Sequence, residues 1–256
     1  MLNPRIIRTT AVGSLAIWLC GMGQSVSAHT TVRDQATEGK TTYNALQIGH
    51  GCANPATGRN LPVTAESVVF PTVNPIVTRS DGTATTLEAE VTDTSAHAHD
   101  PLIVGLTGKA SLVQDRNVFK HQNEIYDANG NVIGFYSTRG NLQTNLIGLV
   151  PFRFKALKIL PTSCAKRVLV KIAIADICKR TFPPRPGTAN LWIPATTAQF
   201  TDSNIDGIGA PATLTINRDP ANPLDPACGE GYDVIITPSN EDVDAHLPIK
   251  GYWSRK

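Results

Sequence analysis

The chain has 256 residues, 41% of them hydrophobic and 17% charged, with a formal net charge of +2. If residues 1–28 are removed as an export signal, Arg5 and Arg8 leave and no acid does, so the remainder is close to neutral; that balance excludes the dense positive charge with which proteins hold nucleic acid or an anionic membrane. Met1 and Met22 lie in the same segment, and with them goes any thioether-built Cu(I) site.

The start of the chain reads as that export signal. Arg5 and Arg8 make a basic start, "TTAVGSLAIWLCGMG" an apolar centre, and Val26-Ser27-Ala28 the small residues a signal peptidase reads. The apolar run is too short for a stable membrane span, so none remains after cleavage. Trp18 and Leu19 precede Cys20 where a lipid-attachment site has small residues. The expected product is an exported protein of the periplasm, cell surface or medium, beginning at His29.

Residues 29–256 are expected to form a single β-sandwich domain. No segment keeps a helical period; alternation recurs instead, in "TTYNALQI" (41–48), "VTAESVVF" (63–70), "ATTLEAEV" (84–91), "RVLVKIAIADI" (167–177) and "YDVIITP" (232–238). In "NEIYDANGNVIGFYS" (123–137) two strand-like runs meet at Asn129-Gly130, a pair that accepts positive φ, which predicts a hairpin. Proline-dense stretches, "FPPRPG" and "NRDPANPLDPACGEG", read as long surface loops. The predicted architecture is all-β, an Ig-like antiparallel β-sandwich with long Pro/Gly-rich loops.

Cys52, Cys164, Cys178 and Cys228 remain after cleavage, and none forms a CxxC pair, so two disulfides are expected and a structural zinc cluster is not. Three connectivities are open. The expected one joins Cys164 to Cys178 around one strand unit and Cys52 to Cys228 across the chain.

All six histidines survive cleavage and supply the nitrogen donors. Cleavage after Ala28 would give His29 an amine with pKa near ~8 and an imidazole near ~6.5, a chelating pair for Cu(II) at neutral pH. His50, in "IGHGC", follows a strand with glycine on both sides. His97 and His99, in "SAHAHD", would share a face in a strand or be solvated in a loop. His121 opens the first hairpin strand, and His246 in "DAHLP" has the weakest case. "DSNIDG" matches the front half of a calcium loop through Asp202, Asn204 and Asp206, yet its twelfth position is Thr213 instead of Glu; a plain turn and a weak Ca²⁺ site are the two readings. No G-x-S-x-G, HExxH, P-loop or G-x-G-x-x-G is present, so an enzyme here would need a metal for reactivity.

"AHTTV" followed by "HGC" after a first strand resembles the YcnI-type copper domains, Ig-like sandwiches whose mature N-terminal His chelates Cu(II) with a Glu and a Trp. His29 matches that His, and Glu38, Trp192 and Trp253 are available as helpers. "HTTVRDQATEGKTTYNALQIGHGC", the hairpin and the Pro-rich tail are similar to the copper-repressible surface proteins of methane oxidisers, the MopE/CorA type. Those hold Cu(I) through two imidazoles and a kynurenine made from a Trp two residues before the first His. The resemblance implies His50 and His121 as the imidazole pair, with Asp100 or Glu124 accepting from their outer nitrogens. The chain departs from the pattern at Ile48, where the Trp would stand.

Three functions compete at this point. The leading expectation is an exported protein that captures or buffers copper, as Cu(I) or Cu(II), with an exported copper or redox protein as its exchange partner. The second is a histidine-brace copper monooxygenase using His29 with His97, His99 or His121. The third is a metal-free structural or adhesive sandwich.

Overall fold

The computed structural model describes residues 29–72, 74–92, 116–128 and 130–255. The longer strands are β1 (Thr41–Ile48), β2 (Ala65–Val69), β3 (Ile76–Arg79), β4 (Phe119–Tyr126), β5 (Val132–Gly140), β6 (Gly148–Lys155), β7 (Ala165–Ile177), β8 (Ala189–Trp192), β9 (Ala212–Asn217) and β10 (Tyr232–Thr237). Among the described residues helix is confined to Leu87–Glu90, the 3-10 turn Pro226–Cys228 and Asn240–His246. None of these is long and apolar enough to cross a membrane.

The fold is an all-β sandwich of a small and a large sheet. In the small sheet β1 lies between Thr31–Val32 and β6, antiparallel to both. The large sheet is organised along β7, a strand of 13 residues. Its first half pairs with β9 on one side and, in parallel, with β10 on the other. Its second half, Ala173–Ile177, lies between β2 and β8, and β5 and β4 continue beyond β2. The two parallel pairings, β7 with β10 and β9 with Ala36–Thr37, have no signature in hydrophobic alternation.

Alternation along β7 explains its burial, on one face along the first half and on both faces over Ile172–Ile177. Val168, Val170, Ile172 and Ile174 face the small sheet and meet Leu46, Ile48, Val150 and Phe152 in the main core. Ala173, Ala175 and Ile177 point the other way, under a layer of loops and the C-terminal helix that contributes Phe200, Val243, Leu247 and Trp253. A fully buried side chain of this size contributes ~1.5–3 kcal/mol relative to exposure. Phe70, Phe135, Phe152 and Phe154 form an aromatic chain through the main core, with successive centroids 5.7–6.3 Å apart.

The hairpin forms as its turn chemistry predicts: β4 and β5 pair antiparallel, Asp127 N–H donates to Asn131 O, and Gly130 takes φ +82°. The strand expected over 84–91 is instead a short helix, Leu87–Glu90. Thr86 caps it by accepting from Ala89 N–H, and Glu88 and Glu90 sit in its first turn, where an acid suits the helix dipole.

The disulfides also differ from expectation: Cys52 bonds Cys178 and Cys164 bonds Cys228. Cys164 and Cys178 flank the two ends of β7, which at ~3.3 Å per residue sets them roughly 45 Å apart, and a disulfide needs α-carbons within about 7 Å. Each instead staples one end of β7 to a loop.

Candidate functional site

Five parts of the chain meet at the far end of β7: residues 29–30, the turn after β1, β7 itself, β8, and the turn holding Asp206. Trp192 closes β8 and is fully buried. The ring of His29 lies over its indole at 4.8 Å between centroids, tilted by 32°. His50 meets the same indole edge-on, at 6.2 Å and 79°. Two histidines 21 positions apart in sequence thus share one aromatic platform.

Local geometry fixes the tautomer of His50. Its Nδ1 contacts Gly51 O, a carbonyl that can only accept, so Nδ1 is the donor. In the neutral ring Nε2 then carries the lone pair, and it faces Asp206, whose Oδ2 is 4.0 Å away. Gly51 serves a close backbone approach and leaves no room for an ion: a Cβ there would sit 2.0 Å from Leu61 O. Gly207 has a similar role, with φ +99° and a Cβ position 2.6 Å from the Trp192 ring; it lets the Asp206 turn press onto the indole. The Cys52–Cys178 disulfide anchors the His50 turn beside the end of β7.

Beneath the indole lies Asp176, wholly buried. Its Oδ2 accepts from Thr30 Oγ1 and from Trp192 Nε1, both at 2.6 Å. Burial pushes its carboxyl up to about 6, against the hydrogen bonds from Thr30 and Trp192 and the charge of His50, which favour the anion. Glu66, opposite Asp176 in register on β2, is also wholly buried. Burial, and next the neighbouring Asp176, hold its carboxyl well above the usual range.

The other sequence candidates are placed elsewhere. His121 is exposed on β4 opposite Thr138, and alternation puts it on the other face from Gln122 and Ser137. His246 ends the C-terminal helix, its Nε2 3.8 Å from Asp242. His97, His99 and Asp100 lie outside the described residues. Glu124 accepts from Tyr126 on β4. Asp202 Oδ1 accepts from both the backbone and the side chain of Asn204, an Asx-type turn, while Asp206 turns to His50. Glu38 is buried and accepts from Asp219 N–H, Asn222 Nδ2 and Ile159 N–H, which ties down a loop. Trp253 belongs to the second core and donates to Thr181 O. Of the aromatic helpers available in sequence, Trp192 alone meets the histidines.

Asp176, Glu66 and Thr30 were absent from the sequence candidates, although a signal existed. In "RVLVKIAIADI" Asp176 falls in phase with Ile172 and Ile174, and in "AESVV" Glu66 falls in phase with Val68, so each is an acid at an inward position.

Among the described residues no three His, Cys, Asp or Glu side chains stand close enough together to hold a metal ion. The imidazoles of His29 and His50 each contact Trp192. Compared with family models, with curated proteins and with solved structures, the chain matches none.

Proposed function

We propose that this is an exported copper-binding protein, cut after Ala28, whose ion is held by the amine and imidazole of His29 together with Nε2 of His50. The observation that carries the reading is the meeting of His29 and His50 on Trp192. A residue that cleavage would turn into a bidentate nitrogen ligand shares Trp192 with a second imidazole whose free nitrogen is already set by its bond to Gly51. Nitrogen donors suit copper over the hard ions, and an outer hydrogen bond from a ligating histidine to a carbonyl is the usual way its orientation is fixed.

In this reading the rest of the cluster serves the ligands. Thr30 is tethered to Asp176, which holds residue 29 at the surface of the sandwich. Trp192 carries both rings, and Asp206 offers negative charge next to His50. The two disulfides suit an oxidising compartment outside the inner membrane. The ion is cargo in this reading, held for capture or buffering.

The test is copper stoichiometry on chain 29–256 beside the same chain with one extra Ala in front. One equivalent in the first and loss in the second is expected; equal binding in both removes the amine of His29 from the site. Because the same donors would make a histidine brace, the copper-loaded protein is also given polysaccharide with ascorbate and peroxide. Cleaved product would overturn the buffering role in favour of a histidine-brace copper monooxygenase.

A further inference from the structure

Ser137, Glu66, Asp176 and Asn190 stand in register across four neighbouring strands, β5, β2, β7 and β8. Directly opposed residues place their Cβ atoms ~4.5–5.5 Å apart on one face. Alternation puts this row in phase with Phe135, Val68, Ile174 and Trp192, all members of the main core. Each of the four is buried, Ser137, Glu66 and Asp176 completely. Both oxygens of Glu66, the Oγ of Ser137 and the Oδ1 of Asp176 have no hydrogen-bond partner among the described residues.

A buried carboxylate without a partner is among the most costly groups a fold can hold. Protons can relieve the charge, and two neutral carboxyls with the Ser137 hydroxyl then offer three O–H donors to these oxygens. A cation on this face of the row would instead be met by the carboxylates and the hydroxyl together. We propose that Glu66, Asp176 and Ser137, with Asn190 at the end of the row, form an internal site for a hard divalent cation of the Ca²⁺ kind, distinct from the nitrogen donors at the surface.

The donor set selects the ion. Oxygen ligands with two carboxylates take Ca²⁺, Mg²⁺ or Mn²⁺ and leave copper to imidazole. Full burial requires an ion that gives up its water, which Mg²⁺ does reluctantly and Ca²⁺ readily. Asp176 joins the two regions, because its Oδ2 is taken by Thr30 and Trp192 while its Oδ1 belongs to the row. The inference does not depend on the copper reading.

Chain 29–256, stripped with a chelator, is titrated separately with Ca²⁺ and with Mn²⁺, followed by calorimetry, the Mn²⁺ paramagnetic signal and thermal unfolding. Uptake of one Ca²⁺ that raises Tm and displaces Mn²⁺ is expected. Ser137→Ala, which keeps both acids, should weaken uptake about tenfold, the loss of one ligand worth about 1.4 kcal/mol. Glu66→Gln combined with Asp176→Asn should abolish it, and Asp202→Asn in the exposed turn should not change it. The proposal is overturned if the folded, chelated chain takes up neither ion and shows a protonated-carboxyl infrared band at pH 7, or if Asp202→Asn is what removes uptake. A chain that binds Ca²⁺ but no copper sinks only the copper reading.

Discussion

Thr30 donates its hydroxyl to Asp176 at 2.6 Å, across 146 positions of sequence, and Trp192 donates to the same oxygen. One buried carboxylate oxygen therefore holds both the segment that carries His29 and the ring on which His29 rests. Thr30→Val removes one of these bonds and keeps the shape. It should cost about 1–2 kcal/mol and weaken copper binding while far-ultraviolet dichroism stays unchanged. Unaltered copper affinity in a protein so destabilised would mean that residue 29 is placed by the indole alone.

Stability should fall as pH rises through the range of Asp176. Its carboxyl titrates near 6 when folded and near ~3.9 when unfolded, so the folded state holds the proton more tightly. The favourable contribution is complete below pH ~4 and gone above the folded value, a change of about 3 kcal/mol. The ionisable groups around it are Glu66 on β2, raised in the same direction, with His50 and Asp206 on the adjoining turns. Urea unfolding of chelated protein between pH 4 and 7.5 should show the decline, and Asp176→Asn should flatten much of it. A wild-type profile that is level over this interval contradicts the assignment.

Histidine substitutions should separate the surface site from the pattern read in sequence. His50→Ala is expected to lower copper affinity at least tenfold, that is by about 1.4 kcal/mol or more, and His121→Ala to leave it as it was. The reverse ranking, measured with a competing copper chelator, would return the site to His121 on β4.

The two disulfides should have different consequences. Opening Cys164–Cys228 by a double Ser substitution releases the loop at the start of β7 and should cost about 2–4 kcal/mol with copper affinity retained. Opening Cys52–Cys178 costs stability too and also frees the turn of His50, so affinity should fall with it. If both variants bind copper alike, the turn is held by Gly51 and Leu61 without help from the sulfurs.

Glu90 is a purely structural counterpart to Asp176. Burial works to raise its carboxyl, but Ser163, Thr85, Arg79 and Tyr232 all donate to it, and together they lower it. Glu90→Ala leaves four donors without their acceptor and should cost about 2–4 kcal/mol in chemical unfolding, with no change in copper or Ca²⁺ uptake. A loss below ~1 kcal/mol would show that water replaces the carboxylate.

Much of the sandwich is legible in the residues, because a strand with one buried face must alternate. β1 and the last residue of β7 were read to the position, and the Asn129-Gly130 pair marked the hairpin turn. Thr-Leu-Glu-Ala-Glu alternates over too few residues to separate a strand from the one capped turn that Leu87–Glu90 forms. A strand over 167–177 by itself forbids a bond between Cys164 and Cys178. His29 and His50 were visible as donors from the cut site and from "IGHGC". Their meeting on Trp192 was not, since it depends on how β8 returns beside β7. Asp176 and Glu66 are legible by a different signal, as acids in phase with the buried apolar residues of their strands.

β7 serves different masters along its length, and its parity has a consequence for genetic change. Deleting one residue near Ile172 would rotate everything after it by half a pleat. Asp176 would turn from the interlayer row to the side of Val243 and Trp253, and Ile177 would take its place opposite Glu66. Insertions and deletions of a single codon should therefore be far more damaging here than point substitutions, and a loss of two adjacent residues better tolerated than a loss of one.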